Sequence, residues 1–146
     1  MRAVKPLFSK RCTTFSGFGT PYQLWFGKPA VESQDIDSAV FGRLTVEPDG
    51  RILVAGSSSN GANLDFAVVR YTGDGALDTS FHLDGTVTTM VGREDDEIAS
   101  IAVQDDGYIV AAGYSVTESG RDFALVRYTP DGLPDHSFGL GGIVVT

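Results

Sequence analysis

The apolar positions of the chain fall into short runs that are typical of β-strands. In Ile52–Ala55 and Phe66–Val69 the apolar residues are successive and do not alternate with polar ones. Such runs are typical of strands in a sheet that is covered on both faces. No segment of the sequence has apolar residues at helical spacing over three turns. The pattern therefore predicts an all-β fold in which sheets stack on one another.

The series of strands occurs twice with one fixed spacing. Asp65–Tyr71 (DFAVVRY) is repeated as Asp122–Tyr128 (DFALVRY), 57 residues further along. At this offset, residues 41–89 and 98–146 are identical at 23 of 49 positions without a gap. A repeat of this length indicates tandem supersecondary units. We therefore predict two consecutive units of the same architecture.

Each unit is predicted to hold four antiparallel strands, as in a blade of a β-propeller. A tight turn at 47–50 (EPDG) joins the first two strands, because proline presets φ and Gly50 can take a positive φ. The fold class predicted is all-β, with two consecutive four-stranded antiparallel propeller-type blades that are incomplete as a ring. The predicted strands are Leu44–Val46, Ile52–Ala55, Asp65–Tyr71 and Thr86–Met90, then Ile101–Val103, Tyr108–Val110, Asp122–Tyr128 and Gly142–Thr146.

The first 40 residues depart from the repeat. Residues 1–19 are basic and irregular, and we predict a loose arm there. Tyr22–Phe26 is a short β-prone run that looks like the last strand of a preceding unit. The predicted organisation is an arm at 1–40 with one strand at 22–26, a first blade at 41–97, and a second blade at 98–146 that ends within its last strand.

Composition and charge exclude several classes of partner. The chain carries a net charge of −8, whereas nucleic acids and anionic membranes bind basic surfaces. No apolar window is long enough to span a membrane, and Met1–Lys10 lacks the apolar core of a signal peptide. Cys12 is the single cysteine, which excludes an intrachain disulfide. We expect no nucleic-acid partner, no membrane insertion and no cofactor.

Three motifs together resemble a known repeat. They are VEPDGRILVAGS at 46–57, DFAVVRY at 65–71 and DGALDTSF at 74–81. In this order they are similar to the delta-60 repeat, a family of tandem bacterial repeats regarded as propeller-like. The resemblance covers residues 41–146. It implies a propeller-like fold in a long protein of many repeats, an extracellular or cell-surface location, and no assigned activity.

The repeat contains few residues in a pattern typical of catalysis or metal binding. Weak candidates for metal ligands are the paired carboxylates of one recurring loop, Asp74, Asp78, Asp131 and Asp135. Ca²⁺ takes roughly six to eight oxygen ligands, so we favour turn capping by these short side chains. Residues 94–97 (EDDE) are predicted to form a solvated loop between the blades. Ser80 and Ser137 recur without a recurring histidine, so no catalytic residue is predicted.

Arg70 and Arg127 are predicted to have a structural role. Side chains alternate along a strand, so Arg70 shares a face with the apolar Phe66. A covered arginine requires a partner, because an isolated buried charge is costly. We predict that each arginine binds the loop of its own repeat, through Asp78 or Asp135 or through loop carbonyls.

Two classes of function remain. The favoured one is a non-enzymatic scaffold or binding module, part of a longer surface or secreted protein. Its variable loops, Ser57–Leu64 and Tyr114–Arg121, would contact a protein or carbohydrate ligand. The alternative is a fragment of a propeller-fold hydrolase or lyase whose catalytic residues lie elsewhere. Two blades cover only the faces that meet, so we expect other copies of the chain or neighbouring repeats to cover the outer faces.

Overall fold

The computed structural model describes residues 39–146, which form two four-stranded antiparallel sheets without helices. The arm and the strand predicted at Tyr22–Phe26 lie outside the described residues. In each sheet the strands are neighbours in chain order, and neither sheet closes on itself. This confirms the predicted fold class. The first sheet holds β1 (Ala39–Val46), β2 (Ile52–Ser59), β3 (Leu64–Tyr71) and β4 (Thr86–Thr89); the second holds β5 (Asp96–Val103), β6 (Ile109–Thr117), β7 (Gly120–Tyr128) and β8 (Ile143–Val145).

The two sheets repeat each other in detail. The pairing of β1 with β2 shifts register between Phe41 and Arg43, and that of β5 with β6 shifts between Ile98 and Ser100, which are the same positions 57 residues on. Both hairpin turns end on a glycine with positive φ, 89° at Gly50 and 84° at Gly107. A residue with a Cβ is strained in that conformation. The recurring Asp-Gly pair therefore fixes the same turn in both blades.

The second hairpin of each blade is longer than predicted. The segments Ser57–Leu64 and Tyr114–Arg121 were predicted to be loops, and this prediction is wrong. β2 stays paired with β3 to Ser59, and β6 stays paired with β7 to Thr117. Strand pairing depends on backbone groups and tolerates polar side chains, so the polar composition of these segments was misleading. Only residues 60–63 and 118–119 lie between the strands.

The sheets stack face to face, and they bury opposite faces. Buried apolar residues are odd-numbered on β2 and even-numbered on β3, and the same parity holds on β6 and β7. The repeat offset is 57, an odd number, so a buried apolar residue on one of these strands is equivalent to a residue of the opposite parity in the other sheet, which is not among the buried ones. The buried apolar residues of equivalent strands therefore lie on opposite faces. The second sheet therefore presents outwards the face that the first sheet buries. The residues concerned are Leu53, Ala55, Phe66 and Val68 in the first sheet and Ile109, Ala111, Ala124 and Val126 in the second, all within one hydrophobic cluster.

Specific contacts join the blades beyond this apolar core. The hydroxyl groups of Thr89 and Tyr128 lie 2.7 Å apart, and burial raises the pKa of Tyr128 to about 12. The buried ring of Phe81 packs against Gly132, where a Cβ would lie 2.7 Å from the ring. These contacts link β4 and the loop before it to the end of β7 and the loop that follows. Among residues 39–146 there is no helix that is long and apolar enough to cross a membrane.

Candidate functional site

Arg70 is the most completely bonded polar side chain of the first blade. It lies on β3 and is 1% exposed. Its Nε donates to Asp78 Oδ2 at 2.8 Å, and its second terminal nitrogen donates to Ser80 Oγ at 3.2 Å. The other terminal nitrogen donates across the blade boundary to the carbonyl oxygen of Pro130 at 2.6 Å. The guanidinium also lies 4.7 Å from the ring centre of Phe81. The prediction that this arginine binds its own loop is confirmed.

Arg127 makes the equivalent contacts in the second blade. Its Nε donates to Asp135 Oδ2 at 2.6 Å, a terminal nitrogen lies 3.4 Å from Ser137 Oγ, and the guanidinium lies 4.7 Å from the ring centre of Phe138. Its side chain is 26% exposed, because it lies on the outer face of its sheet. The loop contact predicted for Arg127 is therefore confirmed as well.

Three of the four aspartates predicted as weak metal ligands, Asp74, Asp78 and Asp135, cap turns. Hydrogen bonds from the hydroxyls of Ser80 and Ser137 hold the pKa of Asp78 and of Asp135 below its usual value. Asp74 accepts from the Thr72 hydroxyl, which lowers its pKa. Asp131 is exposed, and its backbone carbonyl accepts from the backbone amide of His82 at 2.8 Å. Within residues 39–146 there is no cluster of three or more His, Cys, Asp or Glu that could hold a metal ion.

The acidic run at 94–97 is only partly a solvated loop, so that prediction needs correction. Asp96 begins β5 and is fully buried. Its carboxylate accepts hydrogen bonds from the backbone amides of Val91 at 2.8 Å and Gly92 at 3.0 Å. Asp95 accepts from the backbone amide of Leu64 at 2.9 Å. These two carboxylates fix the connection between the blades, whereas Glu94 is exposed.

The recurring serines and the histidines do not form a catalytic pair. Ser80 Oγ donates to Asp78 Oδ1 at 2.6 Å, and Ser137 Oγ donates to Asp135 Oδ1 at 2.8 Å. The ring nitrogen Nδ1 of His82 lies 3.0 Å from the carbonyl oxygen of Thr86, and His136 is exposed. Each serine is thus part of the bonding around the arginine of its own blade.

A cleft of about 400 Å³ lies between the first hairpin turns of the two blades. It combines apolar walls with charged and amide side chains. It could not be read from the sequence, because it is formed by turns 57 residues apart. Its lining residues include Val46, Glu47, Asp49, Arg51, Val103, Gln104, Asp105 and Pro130.

Glu47 sets the electrostatics of one wall of the cleft. It is 6% exposed, and burial raises the pKa of its carboxyl despite the opposing effect of Arg51. Its Oε2 lies 3.2 Å from Arg51 Nε and 3.9 Å from a terminal nitrogen of Arg70. Arg51 also pairs with Asp49 at 2.7 Å. A carboxylate followed four residues later by an arginine was the only sequence signal of this arrangement.

Comparison with known proteins agrees with this architecture. The model of a β-propeller domain of unknown function (DUF5122) matches the chain twice, at residues 47–81 and 104–138. No curated protein matches the chain. Each matched segment runs from the first hairpin turn of a blade to the phenylalanine that packs on its arginine. Each blade is therefore similar, over its matched segment, to a β-propeller-like repeat family.

Proposed function

We propose that the chain is a non-enzymatic propeller-type scaffold of the delta-60 kind, which binds a protein ligand at the cleft between its blades. A non-enzymatic role is supported by the hydrogen bonds that the polar residues common to both blades make with one another. Arg70, Asp78 and Ser80 bond to one another, as do their equivalents in the second blade. A serine nucleophile needs a base whose pKa lies near the working pH, whereas hydrogen bonding lowers the pKa of Asp78 and of Asp135. Groups held in this way support a structural role.

The composition of the cleft supports a basic protein segment as the ligand. Glu47, Asp49 and Asp105 outnumber Arg51 among its charged residues. Val46, Val103 and Pro130 add apolar surface beside them. A lysine or arginine side chain lays its apolar stem on such a surface and directs its charged end to carboxylates. Among residues 39–146, the cleft lining has no aromatic ring of the kind on which sugars stack, which makes carbohydrate the less favoured ligand.

The test uses fluorescently labelled peptides that carry one lysine or arginine among uncharged residues, and a panel of oligosaccharides as the competing class. We expect the peptides to bind and their affinity to fall as salt is added, because the attraction is electrostatic. Asp105→Lys should weaken binding at least about tenfold. Glu118→Lys is the control, since it changes the net charge equally but lies at the far end of β6.

Three results would contradict the proposal. They are binding of the oligosaccharides in preference to the peptides, no binding of either class, and equal weakening by the two lysine variants. The last would show that net charge acts without any contribution from the cleft.

A further inference from the structure

The outer faces of the two blades carry large apolar residues whose repeat equivalents are buried. Phe123, on the outer face of β7, is 81% exposed, whereas its equivalent Phe66 is 0% exposed at the blade interface. Leu44, on the outer face of β1, is 62% exposed, whereas its equivalent Ile101 is 9% exposed. Each of these outer residues thus occupies a position that the existing interface covers in the other blade.

Not every exposed apolar position differs in exposure between the two blades. Leu83 and Leu140 are also equivalent, but they are 91% and 89% exposed, so this position is open in both blades. Exposure at Leu140 therefore calls for no partner. Exposure at Phe123 and Leu44 does, because the same positions are covered where two blades meet.

The polar contacts between the blades also have equivalents on the outer faces. Arg70 donates to the carbonyl of Pro130, and the equivalent pair is Arg127 with Gly73. Thr89 bonds to Tyr128, and the equivalent pair is Thr146 with Tyr71. In the two equivalent pairs, Arg127 and Thr146 lie in the second blade. Their counterparts, Gly73 and Tyr71, lie in the first blade.

We propose that the outer face of the second blade binds the outer face of the first blade of another copy of this chain. The contact repeats the one between the two blades within a copy, with Arg127 reaching the Gly73 carbonyl and Thr146 reaching the Tyr71 hydroxyl. It is head to tail, so it generates a ring if the rotation closes. Propellers hold roughly four to eight blades, so a closed ring contains about two to four copies.

One position alters the fit. A Cβ on Gly42 would lie 2.4 Å from the carbonyl oxygen of Ile98 in the existing interface. The equivalent of Gly42 in the second blade is Ala99, which has that Cβ. The first strands must therefore lie slightly farther apart in the contact between copies. Ala99→Gly is expected to strengthen association for this reason.

The experiment measures mass by light scattering behind size exclusion at micromolar concentration, with the fold checked by circular dichroism. The parent is expected to run at two to four times the chain mass of 15.5 kDa. Phe123→Glu and Leu44→Glu each remove one of the two faces, so each variant should run as single copies. A carboxylate in an apolar contact should weaken association at least about 100-fold. Both residues are exposed, so both variants should keep the parent's spectrum.

Mixing the two variants tests the head-to-tail geometry. The Phe123→Glu copy keeps an intact first-blade face, and the Leu44→Glu copy keeps an intact second-blade face. Equal amounts should therefore form a dimer with one copy of each and nothing larger. Leu140→Glu is the matched control and should assemble like the parent.

Four outcomes would overturn the proposal. A parent that runs as single copies would show that residues 1–38, or repeats outside this sequence, cover the faces. A mixture that stays as single copies would exclude the head-to-tail pairing. Equal disruption by Leu140→Glu would show a non-specific effect of charge. Loss of the β-sheet spectrum in both face variants would show that these faces serve folding within one copy.

Discussion

Replacing Arg70 by alanine should destabilise the fold far more than replacing an exposed arginine. The change removes the closest cation of the buried Asp78 carboxylate and leaves it only Arg51 at 3.8 Å. It also leaves the Pro130 carbonyl without the donor that crosses the blade boundary. Removing one partner of a buried ion pair costs about 3–5 kcal/mol. Domains of this size are stable by about 5–15 kcal/mol, so the variant should lose roughly a fifth or more of that stability.

The assay is urea unfolding followed by far-UV circular dichroism, with every chain also carrying Leu44→Glu and Phe123→Glu to prevent association between copies. Arg43→Ala is the control, because Arg43 is exposed and, within the described part of the chain, bonds only to the adjacent Gly42 carbonyl. It should change the unfolding free energy by less than about 0.5 kcal/mol. Arg70→Lys keeps the charge but cannot reach three acceptors in one plane, and its loss should be intermediate.

The double variant Arg70→Met with Asp78→Asn separates the ion pair from simple packing. Removing both charges leaves no isolated buried ion, so this variant should be at least about 1 kcal/mol more stable than Arg70→Met alone. A loss of less than about 1 kcal/mol in Arg70→Ala would show that the buried ion pair contributes little to stability. A double variant that recovers nothing would show that the buried carboxylate is not the source of the loss.

Three further predictions concern pH, glycine and a buried carboxylate. The pKa values of Asp78 and Asp135 are lowered in the folded state, so the stabilisation from these carboxylates is present above the unfolded pKa of about 4 and is lost as the pH falls through the folded values. The urea concentration at the unfolding midpoint should therefore decrease as the pH is lowered from about 5 to about 3. The decrease should be less steep in a variant that carries both Asp78→Asn and Asp135→Asn. Gly132→Ala should cost about 1–3 kcal/mol more than Gly50→Ala in thermal unfolding, because both positions have positive φ but only the first new Cβ meets the Phe81 ring; equal losses would show that the ring moves aside freely. Asp96→Leu should cost about 2–4 kcal/mol, since the amides of Val91 and Gly92 lose their acceptor, whereas Glu94→Leu should be nearly neutral; comparable hydrogen exchange at the two amides in both variants would contradict this.

The sequence predicted the repeat architecture because the signal lay in local patterns. Apolar runs, the Asp-Gly turns and a gap-free offset each constrain one strand or one hairpin, and all agreed. The pairing of Arg70 with Asp78 followed from the same logic, because a charged residue on a covered strand needs a partner nearby in the chain. The paired hairpin ends were missed because their backbone bonds leave no trace in side-chain polarity.

The remaining features depend on how the blades meet, which no local pattern encodes. Asp96 resembles its exposed acidic neighbours in sequence, yet it is buried by backbone amides on the preceding connection. The cleft is bounded by two turns, and neither turn by itself has a sequence pattern that indicates a cleft. That Arg70 is buried and Arg127 partly exposed depends on which neighbour covers each face, and the repeats are alike at both residues.

The bond from Arg70 to Pro130 has a consequence for synthesis on the ribosome. The acceptor follows the donor by 60 residues, and translation proceeds at about 5–20 residues per second. The first blade therefore emerges roughly 3–12 s before the group that completes its bonding. During that interval one guanidinium nitrogen of Arg70 and the Phe81 ring lack their contacts with Pro130 and Gly132. The nascent chain can reach its full stability only when the second blade's last loop has left the exit tunnel.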